Sequence, residues 1–240
     1  MSRAAPGQGT QPLSPRPTIK VELHCHTRYS HDCLMEPRRL LEICRQRGIQ
    51  RLAITDHNRI EGALEAAKLD PERVIIGEEI KTQEGELLGY FLTECVPPGL
   101  PAIETIERLR AQNAVIAIAH PYDGMRSGAW REQDLARVLP LVDTIEVFNA
   151  RCWSPRANHR AAEAARRAGL PGIAGSDAHA YLEVGRGLTL LPQFTDRESF
   201  LAALPQAQIQ ARSSPLWVHL LSRYASWRKR LPRLRGRPGT

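Results

Sequence analysis

The 240-residue sequence predicts an α/β protein built as a barrel of (β/α) units. Three observations carry that expectation. Short apolar, β-branched runs alternate with Ala-, Leu- and Arg-rich stretches of helical length, the pattern of a parallel sheet covered by helices. Roughly seven such units occur and no GxGxxG follows the first run, which favours a barrel over a doubly wound sheet. Polar residues able to bind metal gather at the ends of the runs, and in (β/α) barrels the C-terminal strand ends are where chemistry sits.

The predicted strands are IKVELH (19–24), RLAITDH (51–57), RVIIGEEI (73–80), ELLGYFL (86–92), AVIAIAH (114–120), DTIEVFN (143–149), PGIAGSDAH (171–179) and GRGLTLL (185–191). Helical stretches lie between them at 37–47, 60–69, 101–113, 132–139 and 154–168. Pro37 suits a helix start. Gly48 and Gly169 stand where a helix would end. No internal repeat is present.

The sequence divides into three parts. Residues 1–18, rich in Pro, Gly, Ser and Gln, read as a disordered leader. Residues 19–198 read as the metal-dependent barrel domain. Residues 199–240 form a basic C-terminal segment with a helix predicted over 215–231. Net charge is +7, but residues 199–240 hold eight Lys/Arg and no Asp or Glu, and the leader adds two Arg. The barrel region is therefore at −3, and the high pI describes the tail. Such a tail is either a solvated basic end or one that meets nucleic acid or an anionic surface.

No apolar run reaches the roughly 18 residues of a membrane span, and the leader has no apolar core of a secretory signal. Five cysteines, an odd number with no CxxC, point to reduced thiols, a cytoplasmic setting and no thiolate zinc site.

The candidate ligands lie at strand ends. His24 and His26 close the first strand, Asp56 and His57 the second, Glu78 and Glu79 the third, His120 the fifth, and Asp177 and His179 the seventh, while Glu86 opens the fourth. Side chains at i and i+2 of a strand share a face, so His24 and His26 point together and Cys25 points away. Asp177 and His179 repeat that spacing. One such histidine is usually a satisfied core or surface residue. Several, among carboxylates in one cavity, are costly to bury without a cation.

The ordered set HCH, TDH, GEEI, AHP and GSDAH resembles the PHP (polymerase and histidinol phosphatase) family over residues 19–190. The resemblance implies a distorted (β/α)7 barrel, two or three divalent metal ions and phosphoester hydrolysis. Motif by motif, it places His24 and His26 on one metal with Glu79 and Asp177. Asp32, His57 and His179 go to another. His120 goes to the remaining metal, with Glu79 as bridge. Some relatives carry a histidine where Glu86 stands, which makes Glu86 a ligand; the alternative is an exposed turn glutamate in QEGE. Ile80 after the pair selects Glu79 over Glu78. Asp56 is expected to orient His57 or a neighbouring ligand.

Imidazoles with carboxylates suit Zn, Mn or Fe. The expected nucleophile is a metal-bridging hydroxide, with Asp177 or His57 handling protons. No GxSxG elbow or Walker loop competes. Arg126, Arg151 and Arg186 follow strand ends and are candidates for substrate phosphate; each is otherwise a solvated or salt-bridged arginine. Asn149 either faces the site or holds its own loop. Tyr29 and His31 belong to the possible rim. In the C-terminal helix, Leu216, Leu220, Tyr224 and Trp227 form a stripe that Trp217 and Leu221 widen, expected to pack on the barrel; the alternative is an interfacial or partner-binding helix.

The function this implies is hydrolysis of a small phosphorylated metabolite or nucleotide. The alternatives are a nuclease or phosphodiesterase acting on oligonucleotides, with nucleic acid met by the basic tail, or a metal-stabilised binding module with little turnover.

Overall fold

A computed structural model describes residues 17–126 and 128–231. The leader therefore lies outside the described residues except for its last two, and Thr18 already opens the first strand. The basic end after Leu231 lies outside them as well.

The elements run β1 (Thr18–Glu22), α1 (Pro37–Gln46), β2 (Arg51–Ile54), α2 (Glu61–Leu69), β3 (Val74–Lys81), β4 (Glu86–Tyr90), α3 (Ala102–Ala111), β5 (Val115–Ile118), α4 (Glu132–Val138), β6 (Thr144–Asn149), α5 (Pro155–Ala168), β7 (Gly172–Gly175), β8 (Gly187–Pro192), α6 (Arg197–Ala203), β9 (Gln208–Ala211) and α7 (Val218–Arg230). One nine-stranded sheet has the order β7-β6-β5-β4-β3-β2-β1-β8-β9. It curls until the segments that follow β7 and β1 meet. The Asp177 N–H donates to His24 O (2.8 Å) and the His26 N–H to Ala178 O (3.0 Å). The barrel is thus nearly closed at the strand ends that carry the histidines.

Local sequence explains the boundaries. Pro37 occupies the first turn of α1. Ser154 caps α5 by accepting from the Arg156 N–H, Pro155 follows it, and Gly169 ends the helix at φ 67°, a left-handed conformation that costs glycine little. Cys25 packs with Leu40, Leu41 and Cys44 under α1, away from the two histidines beside it.

Two strands depart from the parallel pattern. β4 is antiparallel to both β3 and β5, because four residues, 82–85, link β3 to β4, and a parallel crossover needs a dozen or more. The reversal places the start of β4 beside the end of β3, so Glu86 arrives at the same rim as Glu79. β8 is antiparallel to β1, and β9 to β8.

The 198/199 division falls within α6, whose Phe200 and Ala203 pack with Tyr90 and Leu191 in the barrel core. The expected helix over 215–231 is α7, seated differently than its apolar stripe implies. Val218 and Ala225 are buried, and Leu216, Trp217, Leu220, Tyr224 and Trp227 are all more than half exposed. Its smaller, more polar face meets the barrel.

Candidate metal centre

The strand ends bring every expected ligand to one place. The Glu79 carboxylate stands at the middle. Its Oε2 lies 2.9 Å from His57 Nδ1 and 3.4 Å from the Nε2 atoms of His24 and His26, and its Oε1 lies 2.9 Å from His120 Nε2. Asp177 Oδ1 is 3.2 Å from His26 Nε2 and 3.7 Å from His24 Nε2. Asp32 faces His179 Nε2 at 3.1 Å and His57 Nε2 at 3.6 Å. Glu86 Oε2 is 3.6 Å from His120 Nε2. Glu78 points the other way, where it accepts from the Val96 N–H (2.9 Å), as strand alternation requires.

Three imidazoles are aimed by their outer nitrogens. The Nδ1–H of His24 donates to Glu146 Oε1 (3.0 Å), that of His26 to Ser30 Oγ (3.1 Å) and that of His179 to the Asp177 carbonyl (2.8 Å). Each bond turns the Nε2 lone pair inward, the usual arrangement behind metal-binding histidines. Asp56 acts through Ser30: it accepts from the Ser30 hydroxyl (2.6 Å) and from the Thr27 N–H (2.7 Å). It therefore steadies His26, and the His57 N–H also donates to that Ser30 oxygen (3.0 Å).

The inner atoms are left over. Among the described residues, His24 Nε2, His26 Nε2, Asp32 Oδ1, Glu79 Oε2 and Asp177 Oδ1 are buried without a hydrogen-bond partner. Buried polar atoms are rarely abandoned, because each costs about 1–3 kcal/mol. Here lone pairs converge, with side-chain donor atoms of His24, His26 and Asp177, of His24, Glu79 and His120, and of His26, His57 and His179 each within 4.8 Å of one another. The donor set fits divalent cations bound by nitrogen and oxygen.

Electrostatics agree. Burial opposes charge on the His24 ring, yet Glu79, Glu146 and Asp177 outweigh it and hold its pKa well above the ordinary value. His57 is raised in the same way by Glu79 and Asp32 against burial. Burial, with His179 and His57 nearby, pushes His26 well below it. Burial would raise Glu79 and Asp177, but His24 and His57 around the first, and Arg126 and His24 around the second, keep both ionised. Two of the candidate ligands carry backbone strain, His120 at φ 23° and Asp177 at φ 52°. Such strain persists where surroundings over-determine it; the His120 N–H is tied to Glu146 Oε2 (2.8 Å) and the Asp177 N–H to His24 O.

The arginines separate. Arg126 reaches the centre, with NH2 2.5 Å from Asp177 Oδ2 and Nε 3.0 Å from Asp123 Oδ2. Arg151 is buried beside it, donating from NH2 to Ser222 Oγ (2.9 Å), with NH1 unpartnered. Arg186 is not brought there: it donates to Ser213 O (2.9 Å) on the outside. Asn149 faces inward, donating to Asp177 Oδ2 (3.2 Å) and Glu146 Oε2 (3.1 Å). A cleft of about 540 Å³ opens onto His57, Asp32, Arg126, Arg151 and His179, roofed by α7.

Sequence reasoning missed Glu146 and Glu183. Glu146 is a charged residue inside an apolar strand, a signal that was available. What was hidden is the β6 irregularity between Glu146 and Phe148, which brings Glu146 and Asn149 to the same face despite their odd separation. Glu183 accepts from the His179 and Ala180 N–H groups and stands 3.5 Å from Arg151 Nε; nothing in its AYLEVG context marks it. Tyr29 bonds Glu65 (2.7 Å) and is not part of the centre, whereas the exposed His31 lines the cleft.

The comparisons with known proteins converge. The PHP domain profile matches residues 22–124 and the PHP-associated profile residues 155–209. Protein MJ1587 of Methanocaldococcus jannaschii, described as uncharacterized, is 40% identical over 146 residues, 55% of this chain and 82% of that one. A two-domain Bacteroides vulgatus protein, described as containing a predicted PHP-like metal-dependent phosphoesterase, superposes with TM-score 0.68 at 18% identity, over 88% of this chain and 70% of that one. The lesion-specific endonuclease EndoQ of Pyrococcus furiosus superposes with TM-score 0.56 at 16% identity, over 80% of this chain and 57% of that one. With profile, relative and barrel in agreement, the chain belongs to the PHP family.

Proposed function

We propose that this protein is a metal-dependent phosphoesterase acting on a small phosphorylated molecule. The observation that carries the proposal is the convergence of unpartnered His24, His26, Asp32, Glu79 and Asp177 atoms, with His120 Nε2 against Glu79, beside two arginines. His24, His26, Glu79 and Asp177 would hold one divalent cation, Asp32, His57 and His179 a second, and His120 and Glu86 a third shared with Glu79. Such cations, Zn, Mn or Fe, supply Lewis acidity and a water of lowered pKa.

The chain's own residues do the rest. Arg126 is tied to Asp177 and Asp123, so its guanidinium is fixed at the cleft floor, where it binds phosphate oxygens. Arg151 offers its unpartnered NH1 from the cleft wall. Asn149 holds Asp177 and Glu146 in register. His57 is the better placed proton handler: its ring is 16% exposed and lines the cleft, while the Asp177 side chain is sealed.

The roof supports a small substrate. Lys229 of α7 donates to the carbonyls of Arg28 (2.5 Å) and Ser30, fastening the helix across the mouth. The likeness to an endonuclease and the basic tail support the second reading, a phosphodiesterase acting on oligonucleotides. Hydrolysis of p-nitrophenyl phosphate against its bis ester, with Mn or Zn, decides between them. The expected result is metal-dependent turnover of the monoester, lost in His120→Ala. Preference for the bis ester would replace the first reading by the second, and no metal-dependent turnover on either would leave a binding module.

A further inference from the structure

Among the described residues, the outer face of α7 has no partner. Leu216, Trp217, Leu220, Tyr224 and Trp227 are 55%, 52%, 61%, 51% and 57% exposed. At 100° per residue they fall on one arc, and Leu231, 46% exposed, extends it. Val218, Ser222, Ala225 and Lys229 occupy the opposite side and meet the barrel. The apolar arc is therefore not the packing face of the helix. An exposed apolar surface of this kind is uncommon on a soluble domain and marks an interaction site.

The charges beside the arc define the partner. On the same helical wheel Arg228 borders it on one side and Arg223 and Arg230 on the other, all exposed. No Asp or Glu occurs from residue 199 to the end, while eight Lys/Arg do. Trp and Tyr are interspersed with Leu along the arc, and basic residues flank it, the composition of a helix that lies in a lipid interface. A base-stacking surface would need no leucines between the aromatic rings.

We propose that the outer face of α7 docks the protein on an anionic lipid surface, with the apolar arc entering the headgroup boundary and the flanking arginines meeting lipid phosphates. The reading is independent of which ester the centre hydrolyses.

Co-sedimentation of the full chain with vesicles tests it, using phosphatidylcholine alone and phosphatidylcholine containing phosphatidylserine. Binding is expected only to the second. Leu216→Ser with Leu220→Ser should abolish it, and Arg228→Gln with Arg230→Gln should weaken it on the order of tenfold or more. Circular dichroism and thermal unfolding of both variants should match wild type, since none of the four side chains is buried. Absence of binding to anionic vesicles, binding that survives the Leu pair, or binding that the Arg pair leaves unchanged overturns the proposal. So does a dimer in solution that the Leu pair dissociates, or capture of a single-stranded oligonucleotide in place of the vesicles.

Discussion

The Nδ1 of His24 and the Oε1 of Glu146 lie 3.0 Å apart, both fully buried, and this bond aims the other His24 nitrogen at Glu79 and Asp177. Glu146 also accepts from the backbone N–H of His120. One carboxylate thus positions two imidazoles on different sides of the centre. Glu146→Ala should lower metal affinity about ten- to a hundredfold, measured by competition with a chromophoric chelator. Unchanged affinity would remove Glu146 from the account.

Gly175 lies against the same pair. A Cβ there would sit 2.3 Å from both Glu146 Oε1 and His24 Cβ, deep in the barrel. Gly175→Ala should cost roughly 1–3 kcal/mol of stability and metal affinity with it, read from chemical denaturation and the same titration. A variant of wild-type stability and affinity would show that this wall yields freely.

The arginines should part in kinetics. Arg151→Gln should raise KM for a phosphate ester by about tenfold, the size of one charge-assisted hydrogen bond, with metal content retained. Arg186→Gln should leave KM unchanged and stability within roughly 0.5 kcal/mol. The opposite pattern would place the phosphate at the outer edge of the barrel.

Glu78 supplies a pH test of stability. Burial pushes its carboxyl up to about 7, against hydrogen bonds from the Val96 N–H and the Cys95 thiol. The unfolded chain ionises near the ordinary value of 4.5 while the folded chain keeps the proton. Stability from this residue is full below 4.5 and is lost as pH rises through about 7. Glu78→Gln has no such loss. The stability of the variant relative to wild type should therefore rise between pH 4.5 and 7.5. A pH-independent difference would contradict the shift.

Much of the centre was legible in the sequence because strand ends convert spacing into direction. The i, i+2 pairs needed no further information: His24 and His26 face Glu79, and Asp177 faces His26. The choice of Glu79 over Glu78 came from the resemblance, through Ile80; alternation required only that the two side chains part, and they do. What was not legible depends on contacts distant in sequence. The reversal of β4 follows from a short link, but its consequence, Glu86 beside His120, needs the barrel to close. Arg186 follows a strand-end motif as Arg126 does, and only the turn after His179 carries it outward. α7 reversed the expectation that an apolar stripe faces the core. Ser222 and Lys229 already have partners on the barrel, Arg151 and the carbonyls of residues 28 and 30, and they turn the stripe to solvent.

The central claim is that these side chains form a multinuclear metal centre. Elemental analysis of the chain, equilibrated with Mn or Zn and freed of unbound ion, tests it most directly. Two or three ions per chain are expected for wild type, with at least one lost in Glu79→Gln, whose carboxylate stands among four imidazoles. No bound ion, or a single ion that Glu79→Gln retains, would contradict the account.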